Sequence, residues 1–216
     1  MVAVNFCIMR NSIINRQFRY TFSNAAVVIA VINIIAFGAV TFLFPRLLYV
    51  FSMIPSFVLY RHWYWQFFTY MFMHSGIWHL LFNMLALFMF GSPVERKIGT
   101  REFVLFYLLV GTLSGIASYL FFYVTGQNIM LLGASGAVYG VMLLFSVFFP
   151  NAGVLLFGVI PMRASTLVLL YFCIEFFGSI FSAGSVAHAT HLFGLLFALL
   201  YVMIRMRIKP WKAWGL

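Results

Sequence analysis

Aspartate does not occur anywhere in this chain, and its only acids are Glu95, Glu102 and Glu175. Two-aspartate proteolysis is therefore excluded, and so is a Ser-His-Asp triad. Charge of either sign is scarce, at 7% of 216 residues, where a soluble domain carries roughly 25%. With 65% hydrophobic residues, no single soluble core could absorb the apolar side chains, so the chain is an integral membrane protein. Segments alternating over about 10 residues, the mark of a membrane barrel, are missing, which leaves helices. Cysteine is limited to Cys7 and Cys173, far apart and the second inside an apolar run, so no disulfide framework is expected. There is no His-Glu-x-x-His, and no carboxylates or cysteines cluster near the histidines, so neither metal nor other cofactor is expected. No repeat or low-complexity linker breaks the chain.

The apolar runs predict six spans: about Asn24 to Phe44, Ile77 to Phe90 (closed by Gly91-Ser92-Pro93), Phe103 to Val124, Ser135 to Phe149, Ala164 to Phe181, and Val186 to Ile204. The whole chain, 1–216, reads as one all-α membrane domain. Residues 1–23 form a cytoplasmic N-terminal segment and 205–216 a cytoplasmic tail. The first run is too long for a cleaved signal core and lacks a cleavage site. The net charge of +10 does not point to nucleic acid, because the basic residues fall between the spans. Arg10, Arg16, Arg19, Arg96, Lys97, Arg101, Arg163, Arg205, Arg207, Lys209 and Lys212 mark one set of loops. Only Arg46 and Arg61 mark the other. Both termini are thus expected in the cytoplasm. The connection from Pro45 to Ser75, rich in Tyr and Trp, suits a loop lying in the membrane boundary.

Span four is short. Fifteen residues give about 22 Å of helix against a hydrocarbon thickness of about 30 Å. Ser135, at its start, therefore lies below the outer membrane edge. The chain from Thr125 to Ala134 must dip inward without helical hydrogen bonds, which requires a protein-lined or watery hollow. A serine hydroxyl at that depth needs a reason, and so do His188 and His191 in span six. The pair type suggests nucleophile and base. Glu95 and Glu102 lie in the loop after span two, and Glu175 lies mid-span, too deep to meet an imidazole near the outer face. The expected device is therefore serine and histidine alone.

His79 and Asn83, four residues apart, share one face of span two, with His74 just before it. A tetrahedral oxyanion needs preset donors. A histidine N–H, an asparagine NH₂ and the Ser135 backbone N–H can supply them. Tyr139 follows Ser135 by four residues, on the same helix face. With no acid to orient the base, an aromatic ring stacked on His191 would hold it. Turnover is then expected to be slow, since disabling the aspartate of a serine-protease triad costs about 10⁴ in kcat.

Three segments together resemble the rhomboid family of intramembrane serine proteases: His74-Ser-Gly-Ile-Trp-His79-Leu-Leu-Phe-Asn83, Gly133-Ala-Ser135-Gly136-Ala-Val-Tyr139-Gly140, and Ala187-His188-Ala-Thr-His191-Leu-Phe-Gly194. The resemblance implies a six-helix bundle with a membrane-lying first loop, in the minimal prokaryotic form. It implies Ser135 as nucleophile and His191, rather than His188, as general base. His79 and Asn83 would support the oxyanion, and Tyr139 would stack on the base. The implied substrates are other membrane proteins, cut within a transmembrane helix near its extracytoplasmic end. The implied location is a bacterial cytoplasmic membrane, with the site open to the extracytoplasmic side. At the position where many bacterial relatives carry arginine after tryptophan, this chain has Gln66.

Blander readings exist for single residues. Gly133, Gly136, Gly140 and Gly194 serve close helix packing, with Ala198 facing them. His188 and His74 are read as structural hydrogen-bonding groups, Asn33 as interhelical glue, and Glu175 as a carboxyl satisfied inside the bundle. The rival functions are a transporter or channel, or a non-catalytic rhomboid-like scaffold. Oligomeric state is not legible.

Overall fold

The computed structural model describes residues 14, 18–156, 158–181 and 185–215. Arg10, Arg16, Cys7 and most of the N-terminal segment lie outside them. Five helices are long and apolar enough to cross a membrane. They are α1 (Ala25–Leu43), α2 (Ile77–Ile98), α3 (Thr100–Val124), α5 (Ala164–Phe181) and α6 (Ser185–Ile204). A sixth apolar helix, α4 (Ser135–Phe148), has 14 residues and sits among them. Eleven of its residues are buried, and it packs on α6, α3, α5 and α2. The all-α membrane bundle read from the sequence is thus present. The described β structure comprises a short hairpin, Gly153–Leu156 with Ile160–Arg163, between α4 and α5, and an isolated bridge between Met53 and Leu131. The hairpin had no signal in the apolar pattern.

Helix α2 departs from expectation. Gly91-Ser92-Pro93 does not close it. The chain widens into a π turn over Leu87–Gly91 and continues helically to Ile98. Proline lacks an N–H and crowds the preceding turn, and the wider turn absorbs both defects. The true break is Gly99, at φ 84°. Glu95 therefore stands on the last turn of α2, fully buried, rather than in an open loop. Its carboxylate accepts from the backbone N–H groups of Ala25 (2.7 Å) and Ala26 (3.0 Å) and from the Thr100 hydroxyl (2.6 Å). Asn24 makes no side-chain cap, so Glu95 supplies one from another helix, where a negative charge also suits the helix dipole. At the same end of the bundle Glu102 of α3 binds Arg205 through Nε and Nη2, each at 2.6 Å, and accepts from the Tyr201 hydroxyl. These ties fix α3 against α6.

The first loop is built from short helices: Leu47–Phe51, Pro55–Arg61, Gln66–Thr69 and the turn Tyr70–Phe72. Gln66 is buried in it. Its amide donates to the carbonyls of Tyr49 and Val50 and accepts from the Ile54 N–H. Those bonds keep it inside the loop, apart from Glu95. Tyr70 fills the space beside Gly115 and donates its hydroxyl to the Gly111 carbonyl at 2.7 Å. The loop in turn holds the segment that leads to α4. Met53 and Leu131 exchange backbone hydrogen bonds of 2.9 and 2.8 Å, and the Gly133 N–H donates to the Tyr70 carbonyl at 3.0 Å. The non-helical descent from Thr125 to Ala134 is thereby tied to the first loop at Leu131 and Gly133, as a non-helical stretch among buried helices requires.

Candidate active site

Helix α4 starts at Ser135 because Gly133 turns the chain there. Its φ of 119° suits glycine, and a methyl group at that position would lie 2.7 Å from the His79 ring. The same methyl would lie 3.8 Å from Ser135 Oγ, so the empty side of Gly133 is the gap between imidazole and hydroxyl. The first N–H groups of α4 have no partner within the helix.

Small residues bring α6 onto α4. A methyl on Gly194 would sit 2.1 Å from the Gly136 carbonyl oxygen. A methyl on Gly140 would meet Val110 at 2.8 Å and Ala198 at 3.3 Å. At that separation His191 Nε2 lies 2.8 Å from Ser135 Oγ. Both side chains are half-buried. The ring of Tyr139 lies parallel to the His191 ring, 4.2 Å between centroids and 9° between planes. Ser135, Tyr139 and His191 are thus gathered in one place.

His79, from α2, faces the gap at Gly133. Its Nδ1 is 3.0 Å from the Ser75 hydroxyl, and His74 packs edge-on against it at 5.0 Å. Asn83 lies one turn further along α2, buried, with its amide donating to the His79 carbonyl at 2.8 Å. A second amide N–H remains on that group. His74 stands outside the spanning helices. Burial, and then the neighbouring His79, lower its pKa to about 4, against a partial opposing pull from the Phe72 backbone.

Glu175 is where the sequence reading fails. Its mid-span position puts it too deep to meet an imidazole, yet its Oε2 lies 2.5 Å from His188 Nδ1 and its Oε1 lies 3.0 Å from His191 Nδ1. The Tyr139 hydroxyl also donates to Oε1. The His191 contact is short, but the ring N–H does not point along it, so it acts through charge more than as a straight hydrogen bond. Depth along α5 alone does not locate Glu175 against His191, because α5 and α6 run antiparallel from a shared end. Glu175 is six residues from the end of α5 and His191 six from the start of α6, about 9 Å down each helix. Counting from both ends would have found the match. Gly178 also escaped notice: a methyl there would strike the His188 ring at 2.7 Å, so this glycine admits His188 beside α5.

Among the described residues no group of three or more His, Cys, Asp or Glu is arranged to hold a metal ion.

The rhomboid-domain family profile matches residues 61–208, which contain every site residue named above. The chain is 31% identical over 133 residues to the presenilin-associated rhomboid-like protein A, mitochondrial, of Danio rerio, covering 61% of this chain and 35% of that protein. It is 42% identical over 76 residues to rhomboid protease GluP of Bacillus subtilis, covering 35% of this chain and 14% of that one. It is 35% identical over 89 residues to the putative rhomboid protease YdcA of the same bacterium, covering 40% and 43%. The matched stretches thus span less than half the length of these relatives.

Proposed function

The chain belongs to the rhomboid family, and on that premise we propose that it is an intramembrane serine endopeptidase in which Ser135 is the nucleophile and His191 the general base. The observation that carries this reading is the 2.8 Å approach of Ser135 Oγ to His191 Nε2, with Tyr139 stacked on the base. A hydroxyl becomes nucleophilic when a base within hydrogen-bond reach takes its proton.

His191 Nε2 takes the Ser135 proton as Oγ bonds to the scissile carbonyl carbon. The carbonyl oxygen gains the negative charge. With the Ser75 hydroxyl as the donor in its 3.0 Å bond to His79 Nδ1, the His79 proton sits on Nε2, facing the gap at Gly133. That N–H, an Asn83 amide N–H and the Ser135 backbone N–H are the donors for the oxyanion. The imidazolium then returns its proton to the leaving amine nitrogen and the C–N bond breaks, leaving an acyl-Ser135. Water, deprotonated by His191, releases the acid and restores the hydroxyl.

The substrates are transmembrane helices of other membrane proteins. A helix hides its carbonyls in internal hydrogen bonds, so small and helix-weakening residues at the cleaved bond are favoured. By the distribution of Lys and Arg, both termini face the cytoplasm and the site opens to the extracytoplasmic side.

The test is cleavage in reconstituted bilayers of a single-span substrate carrying small residues near its outer end. Two fragments should form with the wild-type chain and none with Ser135→Ala or His191→Ala. Absence of cleavage by the wild type would favour a scaffold or transporter.

A further inference from the structure

We propose that Glu175 is a positioning residue for the base, so that this chain uses a Ser135–His191–Glu175 arrangement in place of a bare pair. The inference rests on the protease reading above and deepens it.

Glu175 is 4% exposed, and a buried carboxylate must be matched by donors or positive charge. The groups facing it come from three helices. Tyr139 approaches from α4 and His188 and His191 from α6, while Tyr171 of α5 itself packs edge-on against Tyr139. His79 of α2 sits beyond, across the nucleophile's gap. Among the described residues, no lysine, arginine or second acid is hydrogen-bonded or ion-paired to this group. The carboxylate's partners are therefore two imidazoles and a phenol, and one imidazole is the base.

Two consequences follow from the geometry. A carboxylate oxygen 3.0 Å from Nδ1 favours the tautomer with its proton on that nitrogen. Nε2 is then left unprotonated, facing Ser135 Oγ at 2.8 Å, ready to accept. When the serine proton arrives, His191 becomes an imidazolium carrying both N–H groups, and the Glu175 charge lies beside it. Glu175 neither takes nor gives a proton in this step; the proton passes from Oγ to Nε2 and then to the leaving nitrogen. The Tyr139 hydroxyl and His188 Nδ1 hold the carboxylate in place from its two oxygens. Tyr139 thereby secures the base twice, by its ring and through its hydroxyl.

The experiment compares wild type, Glu175→Gln and Glu175→Asp in the full-length reconstituted protein. The readouts are fluorophosphonate labelling of Ser135 and kcat/KM for a model substrate, each from pH 5 to 9. Removing the negative charge makes the imidazolium less favourable. The acidic limb of the Glu175→Gln profile should move to lower pH by about one unit, with a plateau at least about tenfold lower and KM little changed. Glu175→Asp should bring the limb back toward the wild type. A glutamine limb that coincides with the wild type, whatever its height, overturns the inference, since a purely structural carboxylate would change the height alone. If the wild type itself neither labels nor cleaves, the protease reading fails and this inference falls with it. Should Glu175→Gln not fold, nitrogen-15 spectra of histidine-labelled wild type decide. The neutral His191 ring is expected to carry its proton on Nδ1, and a proton on Nε2 would overturn the inference.

Discussion

Gly194 and Gly136 meet so closely that a single methyl group on Gly194 would lie 2.1 Å from the Gly136 carbonyl oxygen. The backbone of α6 thus rests directly on the backbone of α4, and the reach of His191 to Ser135 depends on it. In Gly194→Ala the obstructing atom is backbone, which cannot swing aside, so the helices must part. We expect a loss of roughly 3 kcal/mol, at the upper end for overpacking. Ser135 labelling should fall at least about tenfold, as a change in donor–acceptor distance implies. Thermal melts in detergent and labelling rates check both. Unchanged values would mean that α6 is held elsewhere.

Tyr139 does two things that can be separated. Tyr139→Phe keeps the ring parallel to His191 and removes the hydroxyl that donates to Glu175. Tyr139→Ala removes both. Activity should fall in the order wild type, Phe, Ala, with the alanine variant at least about tenfold below phenylalanine if stacking orients the base, given 0.5–1.5 kcal/mol for a stacked ring plus the lost orientation. Equal rates for Phe and Ala would assign the whole effect to the hydroxyl.

Glu95 caps α1 from a neighbouring helix. Glu95→Ala leaves two buried backbone N–H groups and the Thr100 hydroxyl without their acceptor. The expected cost is about 2–4 kcal/mol, the scale for unsatisfied buried donors and a charged acceptor. Ser135 and His191 lie on other helices, and Asn83, the site residue nearest to Glu95 along α2, is twelve residues away, so the labelling rate of the folded fraction should be nearly unchanged. Melting temperature and labelling measured on the same sample separate the two effects.

His74 gives a pH dependence of stability. Its pKa is lowered to about 4 in the fold, from 6.5 when exposed. The unfolded chain therefore binds the proton more readily. The stability this group contributes is complete above pH 6.5 and is lost as pH falls through the folded value, by on the order of 2–3 kcal/mol. Melts between pH 7.5 and 4 should decline more steeply for the wild type than for His74→Asn. Parallel curves would show that His74 is not the group being protonated.

The sequence carried some of this fold plainly and some not at all. Helix α5 begins and ends where the apolar run does, because charge and turn residues bound it on both sides. The short α4 and the non-helical approach to it followed from length against membrane thickness. Helix α2 was misjudged because Gly91-Ser92-Pro93 reads locally as a stop, while packing on α1 and α3 sustains the helix through it. The pairing of Glu175 with two histidines is a relation between antiparallel helices, and depth measured along one helix alone does not reveal it. Composition was also silent about the Glu95 cap, since an acid after an apolar run looks the same whether it meets water or another helix end.

The account stands most directly on the reactivity of one hydroxyl. The purified chain, treated with a fluorophosphonate and digested, should yield one modified peptide, bearing the adduct on Ser135. Modification should be abolished in Ser135→Ala and slowed at least about a hundredfold in His191→Ala, the scale of a general base. A wild-type protein that remains unmodified, or one labelled equally well without His191, would contradict the pairing of these two side chains as nucleophile and base.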